Sequence, residues 1–185
     1  LATLNISRAA MPTIVDSSGP IAPATALNGA PMICGVAGDQ QASLIGQGCV
    51  RPGPAKITFG TGGMLDLVVG PDRPTSAARS ASGTFPIVAW KRGSETVWGL
   101  EAIMLSAGTN VEWLRDDLAI IDSVAASHDI AQQCADTEGV VYVPALLGLG
   151  TPNWDYGARG TLLGITRGTA RPHIVRAVLE GVAQR

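Results

Sequence analysis

Gly35-Val36-Ala37-Gly38-Asp39-Gln40-Gln41, followed downstream by Gly60-Thr61-Gly62, decides how this chain reads. An apolar run, Ala30 to Val36, ends on a carboxylate set among small residues and amides. The later glycine turn separates two β-rich stretches, Ala55 to Phe59 and Gly63 to Val69, in the manner of a hairpin. Asp39 opens a helix running to about Gly48, where a carboxylate is electrostatically welcome. Read alone, Asp39 is either a helix cap or a base for a hydroxyl attacking a phosphoryl group. Gly60-Thr61-Gly62 is either a tight turn or a backbone cradle for phosphate. No Gly-Lys-Ser/Thr follows it, so it is not a P-loop.

Working outward, Pro31 to Ala37 reads as a buried strand and Arg51-Pro52-Gly53-Pro54 as a breaker and candidate domain boundary. Leu4 to Met11 is a short helix or turn, and Ser17 to Leu27 is loop-like with short extended pieces. Asp72 to Gly83 is a polar loop. Phe85 to Trp90 and Thr96 to Leu100 form a second strand pair. Ala102 to Leu118 reads as a helix with Ile103, Ala107, Val111, Leu114 and Leu118 on one face. Gly108 lies inside that pattern, relieving either a close helix contact or the approach of a ligand. A further helix spans about Ser127 to Asp136. Strands follow at Val140 to Val143 and Thr161 to Ile165, and a last helix at Pro172 to Gln184. Within the Leu147 to Gly160 loop, Asp155 and Arg159 are expected to form an ordering ion pair. His128 and His173 have no companions that suggest a metal or a triad. The order is mixed α/β rather than a uniform βαβ alternation.

With 46% hydrophobic and 15% charged residues, the chain has the material for a large core and little tendency to disorder. A net charge of -2 without a basic cluster argues against a nucleic-acid or membrane-surface partner. The apolar runs are shorter than the roughly 20 residues of a membrane span. Cys34, Cys49 and Cys134 are widely spaced with no CxxC, and are read as free thiols in a reducing cytoplasm. Leu1 is not an initiator and the last helix stops uncapped, so both ends read as cuts through a longer protein.

In order along the chain, several motifs resemble the FGGY family of carbohydrate kinases, and within it the branch that phosphorylates glycerol. They are Gly38-Asp39-Gln40-Gln41-Ala42, Ala55-Lys56-Ile57-Thr58-Phe59-Gly60-Thr61-Gly62, Glu112-Trp113-Leu114-Arg115-Asp116, Tyr142-Val143-Pro144-Ala145, Gly148-Leu149-Gly150-Thr151-Pro152-Asn153-Trp154-Asp155 and Gly160-Thr161-Leu162-Leu163-Gly164-Ile165. His173-Ile174 and Ala177-Val178-Leu179-Glu180 follow at the matching distance. The resemblance implies an actin-like, ribonuclease-H-like α/β fold. Residues 1–52 would end a polyol-binding domain and 53–185 would begin a nucleotide-binding domain.

The same resemblance implies ATP and Mg²⁺ as cofactors and transfer of the γ-phosphoryl group to glycerol. Asp39 would be the catalytic base and would face the metal through water. Gln40 and Met64 would line the polyol. Gly60, Thr61 and Gly62 would hold the ATP phosphates, with Gly108 and Glu112 near the nucleotide. Glu112 stands where the branch carries Gln, so its carboxylate is expected to turn away from phosphate. Met64 replaces a Phe against the glycerol carbons, and Asn153 replaces a Tyr. The complete protein is expected to be a cytoplasmic homo-oligomer, and the 185 residues alone to transfer no phosphate. Alternatives are a kinase for another polyol or ketopentose of the family, and a non-catalytic actin-like nucleotide-binding domain. Asp39 argues against the last, because a sensor needs no base.

Overall fold

The computed structural model describes residues 1–75 and 81–185. Its centre is a four-stranded antiparallel sheet: β3 (Ala55–Phe59), β4 (Gly63–Gly70), β5 (Phe85–Arg92) and β6 (Glu95–Met104), in the order β3-β4-β6-β5. The hairpin read at Gly60-Thr61-Gly62 is present, with Phe59 facing Gly63, Thr58 facing Met64 and Lys56 facing Asp66. The second hairpin, β5–β6, is longer than its sequence reading and turns at Gly93, whose φ of 59° suits glycine.

A small two-stranded sheet, β1 (Ser18–Pro23) and β2 (Met32–Gly35), precedes α1 (Asp39–Gly46). The strand expected over 31–37 therefore exists, but it is exposed along its whole length rather than buried. Among the described residues its strand partner is β1 alone and all four residues are exposed, so its apolar composition does not become core.

The helix expected over Ala102 to Leu118 is corrected. Residues through Met104 continue β6, and α2 begins only at Gly108 and ends at Asp116. Ile103 and Met104 stay extended because β6 is an interior strand, laddered to β4 as far as the Gly63–Met104 pair. Gly108 is thus the first residue of a helix, not an interior one. The helix expected over 127–136 shortens to α3 (Ala126–Ala131). It gives way to a turn in which Asp136 Oδ1 accepts the Glu138 N–H at 2.7 Å. β7 (Val141–Val143), β8 (Thr161–Leu163) and α4 (Arg171–Ala183) lie where the patterning puts them. Pro172 stands in the first turn of α4, where its missing N–H costs nothing. The polar loop at 72–83 includes residues 76–80, which lie outside the described residues.

Two apolar clusters hold these elements. Val111, Leu114, Ile130, Val140, Tyr142, Val175 and Val178 join α2, α3, β7 and α4. Leu44 and Cys49 pack with Val68, Ala89 and Val97, so α1 docks on the central sheet across the Pro52 breaker. Each fully buried aliphatic side chain contributes about 1.5–3 kcal/mol. Gly181 allows the close approach of α4 to β7, since a Cβ there would lie 2.4 Å from the Tyr142 carbonyl oxygen.

All three cysteines are free. The expected Asp155–Arg159 ion pair does not form. Asp155 Oδ1 accepts the N–H groups of Gly157 and Ala158, and Arg159 donates to the carbonyls of Tyr156, Gly157 and Ala158. Backbone partners within reach of each side chain satisfy both separately. His128 bonds Gln132, and His173 Nδ1 accepts the Ala170 N–H at the start of α4. Among the described residues no helix is long and apolar enough to cross a membrane.

Candidate active site

Two segments form the site, the first turn of α1 and the turn between β3 and β4. Asp39 is exposed, and its Oδ1 accepts the N–H of Gln40 at 2.8 Å. The helix cap position is Gly38, which supplies no side chain. Asp39 therefore makes a local bond at the helix start while its second carboxylate oxygen stays open to solvent.

The glycine turn is held from behind by α2. The N–H groups of Ala107 and Gly108 donate to the carbonyls of Thr61 and Gly60 at 2.8 and 2.9 Å. The Thr109 hydroxyl also donates to the Thr61 carbonyl at 3.2 Å. Ala107, the cap position of α2, has no capping side chain, so the turn's carbonyls satisfy N–H groups that would otherwise be orphaned. The C=O and N–H of a trans peptide point in opposite directions. With the Gly60 and Thr61 carbonyls turned toward α2, the N–H groups of Thr61 and Gly62 point away from it. Among the described residues none accepts from these two N–H groups. Two outward N–H donors beside an exposed threonine can bind an anion.

This arrangement leaves no room for side chains. A Cβ on Gly108 would lie 2.6 Å from the Gly60 carbonyl oxygen, and one on Gly62 would lie 2.7 Å from that of Met104. The close contact that Gly108 relieves is thus with the turn itself. Behind it, buried Asn110 donates to the Ser106 and Ala107 carbonyls and accepts the Tyr142 hydroxyl at 2.8 Å. Burial pushes the Tyr142 hydroxyl up to about 12, so it stays a donor. Trp113 stacks on the Tyr142 ring.

Under Gln40 lies a buried charged cluster that the sequence reading missed. Lys56 and Asp66, on neighbouring strands, form an ion pair of 2.6 Å with both side chains almost fully buried. Lys56 Nζ also donates to Gln40 Oε1 and, at 2.9 Å, to Thr58 Oγ1. Glu101 on β6 lies opposite Asp66 in the ladder, so a second carboxyl stands beside the pair. The signal available was a charge on alternate positions of strands otherwise apolar, at Lys56 and within Met64-Leu65-Asp66-Leu67-Val68.

Burial, with the Asp66 charge, pushes the Glu101 carboxyl up to about 7. The folded chain then keeps a proton that the unfolded chain gives up above about 4.5. Stability from this group is fully present below that value and is lost as pH rises toward about 7. The melting temperature is expected to fall between about pH 5 and about pH 8. Glu101→Gln, which cannot ionise, flattens that stretch of the profile in thermal melts.

Met64 is half-buried beside Thr58 and Ile103, on the strand face that carries Lys56 and Asp66. Glu112 is exposed on α2, at a depression of about 390 Å³ shared with Thr109, Trp113, Asp116 and Asp117. A cavity of about 480 Å³, walled by Ile57, Phe59, Leu65, Met104 and Pro152, opens along the opposite face of the sheet.

The model of the FGGY family of carbohydrate kinases, C-terminal domain, matches residues 55–185. The chain belongs to the FGGY family of carbohydrate kinases. It is 49% identical to a glycerol kinase of Alkalilimnicola ehrlichii over 99% of its own length and 37% of that protein's. It is 44% identical to glycerol kinase 2 of Thermotoga maritima, again over 99% of the chain, covering 36% of that relative. The chain thus spans little more than a third of the length of these curated relatives. Among solved structures, a Plasmodium falciparum glycerol kinase with ADP superposes with a TM-score of 0.78 at 33% identity. That match covers 91% of the chain and 33% of the neighbour. A ligand-bound xylulose kinase of Lactobacillus acidophilus gives 0.75 at 25% identity, over 98% of the chain and 37% of the neighbour. The fold is that of the FGGY sugar kinases, the actin-like ATPase type read from the motifs.

Proposed function

We propose that this chain carries the base and the phosphate cradle of an ATP-dependent kinase that converts glycerol to glycerol 3-phosphate. The observation that carries this reading is the pairing of an exposed Asp39 with two outward N–H groups at Gly60-Thr61-Gly62 in an FGGY chain. The likeness to proteins named glycerol kinase supports glycerol over other acceptors. Residues 1–52 close the polyol-binding domain and 53–185 open the nucleotide-binding one, supported by a family match that starts at residue 55.

In this mechanism the glycerol hydroxyl attacks the γ-phosphorus, the bond to the bridging oxygen of ADP breaks, and Asp39 takes the hydroxyl proton. The N–H groups of Thr61 and Gly62 and the Thr61 hydroxyl steady the phosphate oxygens, with Gly60 and Gly108 keeping the backbone close. Gln40 and Met64 bound the polyol. Glu112 stands with Asp116 and Asp117, where carboxylates repel phosphate and can accept from hydroxyls, so it faces the nucleotide's hydroxyl-bearing part. Among the described residues no cluster of three or more His, Cys, Asp or Glu could hold a metal by itself. Mg²⁺ would be carried mainly by the ATP phosphates, with Asp39 as the residue facing it through water, and would neutralise phosphate charge.

A coupled assay of the complete polypeptide against glycerol, other polyols and ketopentoses tests the reading. Glycerol is expected to give the highest kcat/KM, and the 185-residue chain alone to give no product. Preference for a ketopentose would replace glycerol as the acceptor, and ATP binding with no acceptor at all would favour the non-catalytic reading.

A further inference from the structure

Lys56 is buried, 4% exposed; its ammonium donates to Gln40 Oε1 and Thr58 Oγ1 and forms an ion pair with Asp66 Oδ2 at 2.6 Å. Each of the three groups around the ammonium comes from a different element or position of the site. Gln40 belongs to α1, Thr58 leads into the Gly60-Thr61-Gly62 turn, and Asp66 lies on the next strand. Asp39 is held in turn by Gln40, whose N–H bonds its carboxylate. The chain of contacts runs Asp66, Lys56, Gln40, Asp39. It joins the carboxylate to the strand that ends in the cradle, although Asp39 and Lys56 lie on opposite sides of the Pro52 breaker.

A buried ion pair is weak evidence of a contribution to stability, since apolar residues of similar volume often do as well. What this pair does supply is a fixed direction for one side-chain amide. We propose that Lys56 is a positioning residue, whose buried ammonium, oriented by Asp66, clamps Gln40 and so sets Asp39 relative to the Gly60-Thr61-Gly62 turn. The charged groups facing it are Asp66 on β4 and, beyond it, Glu101 on β6 and Asp39 on α1. This rests on Asp39 acting as the base.

The test removes both buried charges at once, so that neither is stranded. Lys56→Met/Asp66→Leu in the complete polypeptide replaces the pair by side chains of similar volume. Melting temperature reports the structural contribution, and kcat and the KM for ATP report the positioning one. A retained melting temperature with kcat down by about 10²-fold and an unchanged KM for ATP is expected, since a misplacement near 1 Å costs that much. If that variant does not fold, Lys56→Gln/Asp66→Asn takes its place. It keeps hydrogen-bonding groups in the site, but its side chain at 56 is one atom too short for Gln40, and the same fall in kcat is expected. A folded variant with kcat at the wild-type level overturns the positioning assignment while leaving the kinase reading intact. A wild-type polypeptide that phosphorylates no acceptor overturns both.

Discussion

Replacing Asp39 by Ala is expected to lower kcat for glycerol phosphorylation by about 10²–10⁴-fold, the range that a positioned general base supplies. ATP binding, followed by calorimetry, is expected to change little, because the cradle is built from backbone groups of β3, β4 and α2 and takes nothing from Asp39. The fold should tolerate the change as well. Asp39 is exposed, and among the described residues its side chain bonds only the adjacent Gln40 N–H, so the helix start loses only about 0.3–1 kcal/mol. Asp39→Asn sharpens the result, since it keeps an oxygen for the Gln40 N–H but cannot take up a proton from the hydroxyl. The two variants should therefore be alike in turnover and differ in stability. Turnover near the wild-type level in either would remove Asp39 from the mechanism.

The second large effect is expected from Gly108→Ala. The added Cβ, whose position the helix backbone fixes, would meet the Gly60 carbonyl oxygen, a backbone atom, at 2.6 Å. Neither can rotate away as a flexible side chain would. Either α2 retreats or the glycine turn moves, and in both cases the bonds from Ala107 and Gly108 to the turn lengthen. The outward direction of the Thr61 and Gly62 N–H groups depends on those bonds. A drop of about 10²-fold in kcat/KM for ATP is expected from a displacement near 1 Å. A melting penalty of about 1–3 kcal/mol, typical of overpacking, should accompany it. Steady-state kinetics beside thermal melts check both. An unchanged kcat/KM for ATP would mean that the turn does not hold the nucleotide.

The parts of this fold that were legible in the sequence are those with local causes. Gly60-Thr61-Gly62 between two β-rich stretches dictates a hairpin. Pro172 followed by a helical apolar period dictates α4. Asp39 at the end of an apolar strand marks the start of α1. Ala102 to Leu118 misleads because Ile103, Ala107, Val111 and Leu114 satisfy a helical period, while the first two of them lie outside the helix. What keeps Ile103 extended is its pairing with Met64 of β4, which is not local. The exposure of Met32 to Gly35 has a similar origin, since burial depends on what packs over a strand and not on its composition. The Lys56, Asp66 and Glu101 cluster depends on cross-strand register, so no spacing within one segment announces it. The motifs identified both halves of the candidate site, yet not the contacts between them. Gly108 shows this most clearly. The sequence alone offers a close contact or a ligand's approach for it, and the contact, a Gly60 carbonyl at its back, is visible only in three dimensions.

The most direct measurement is phosphorus NMR of the complete polypeptide incubated with ATP, Mg²⁺ and glycerol, run beside its Asp39→Ala variant. Glycerol 3-phosphate and ADP should accumulate in equal amounts with the wild type, while the variant retains ATP with its turnover nearly abolished. ADP without glycerol 3-phosphate, or equal product from both proteins, would contradict the account.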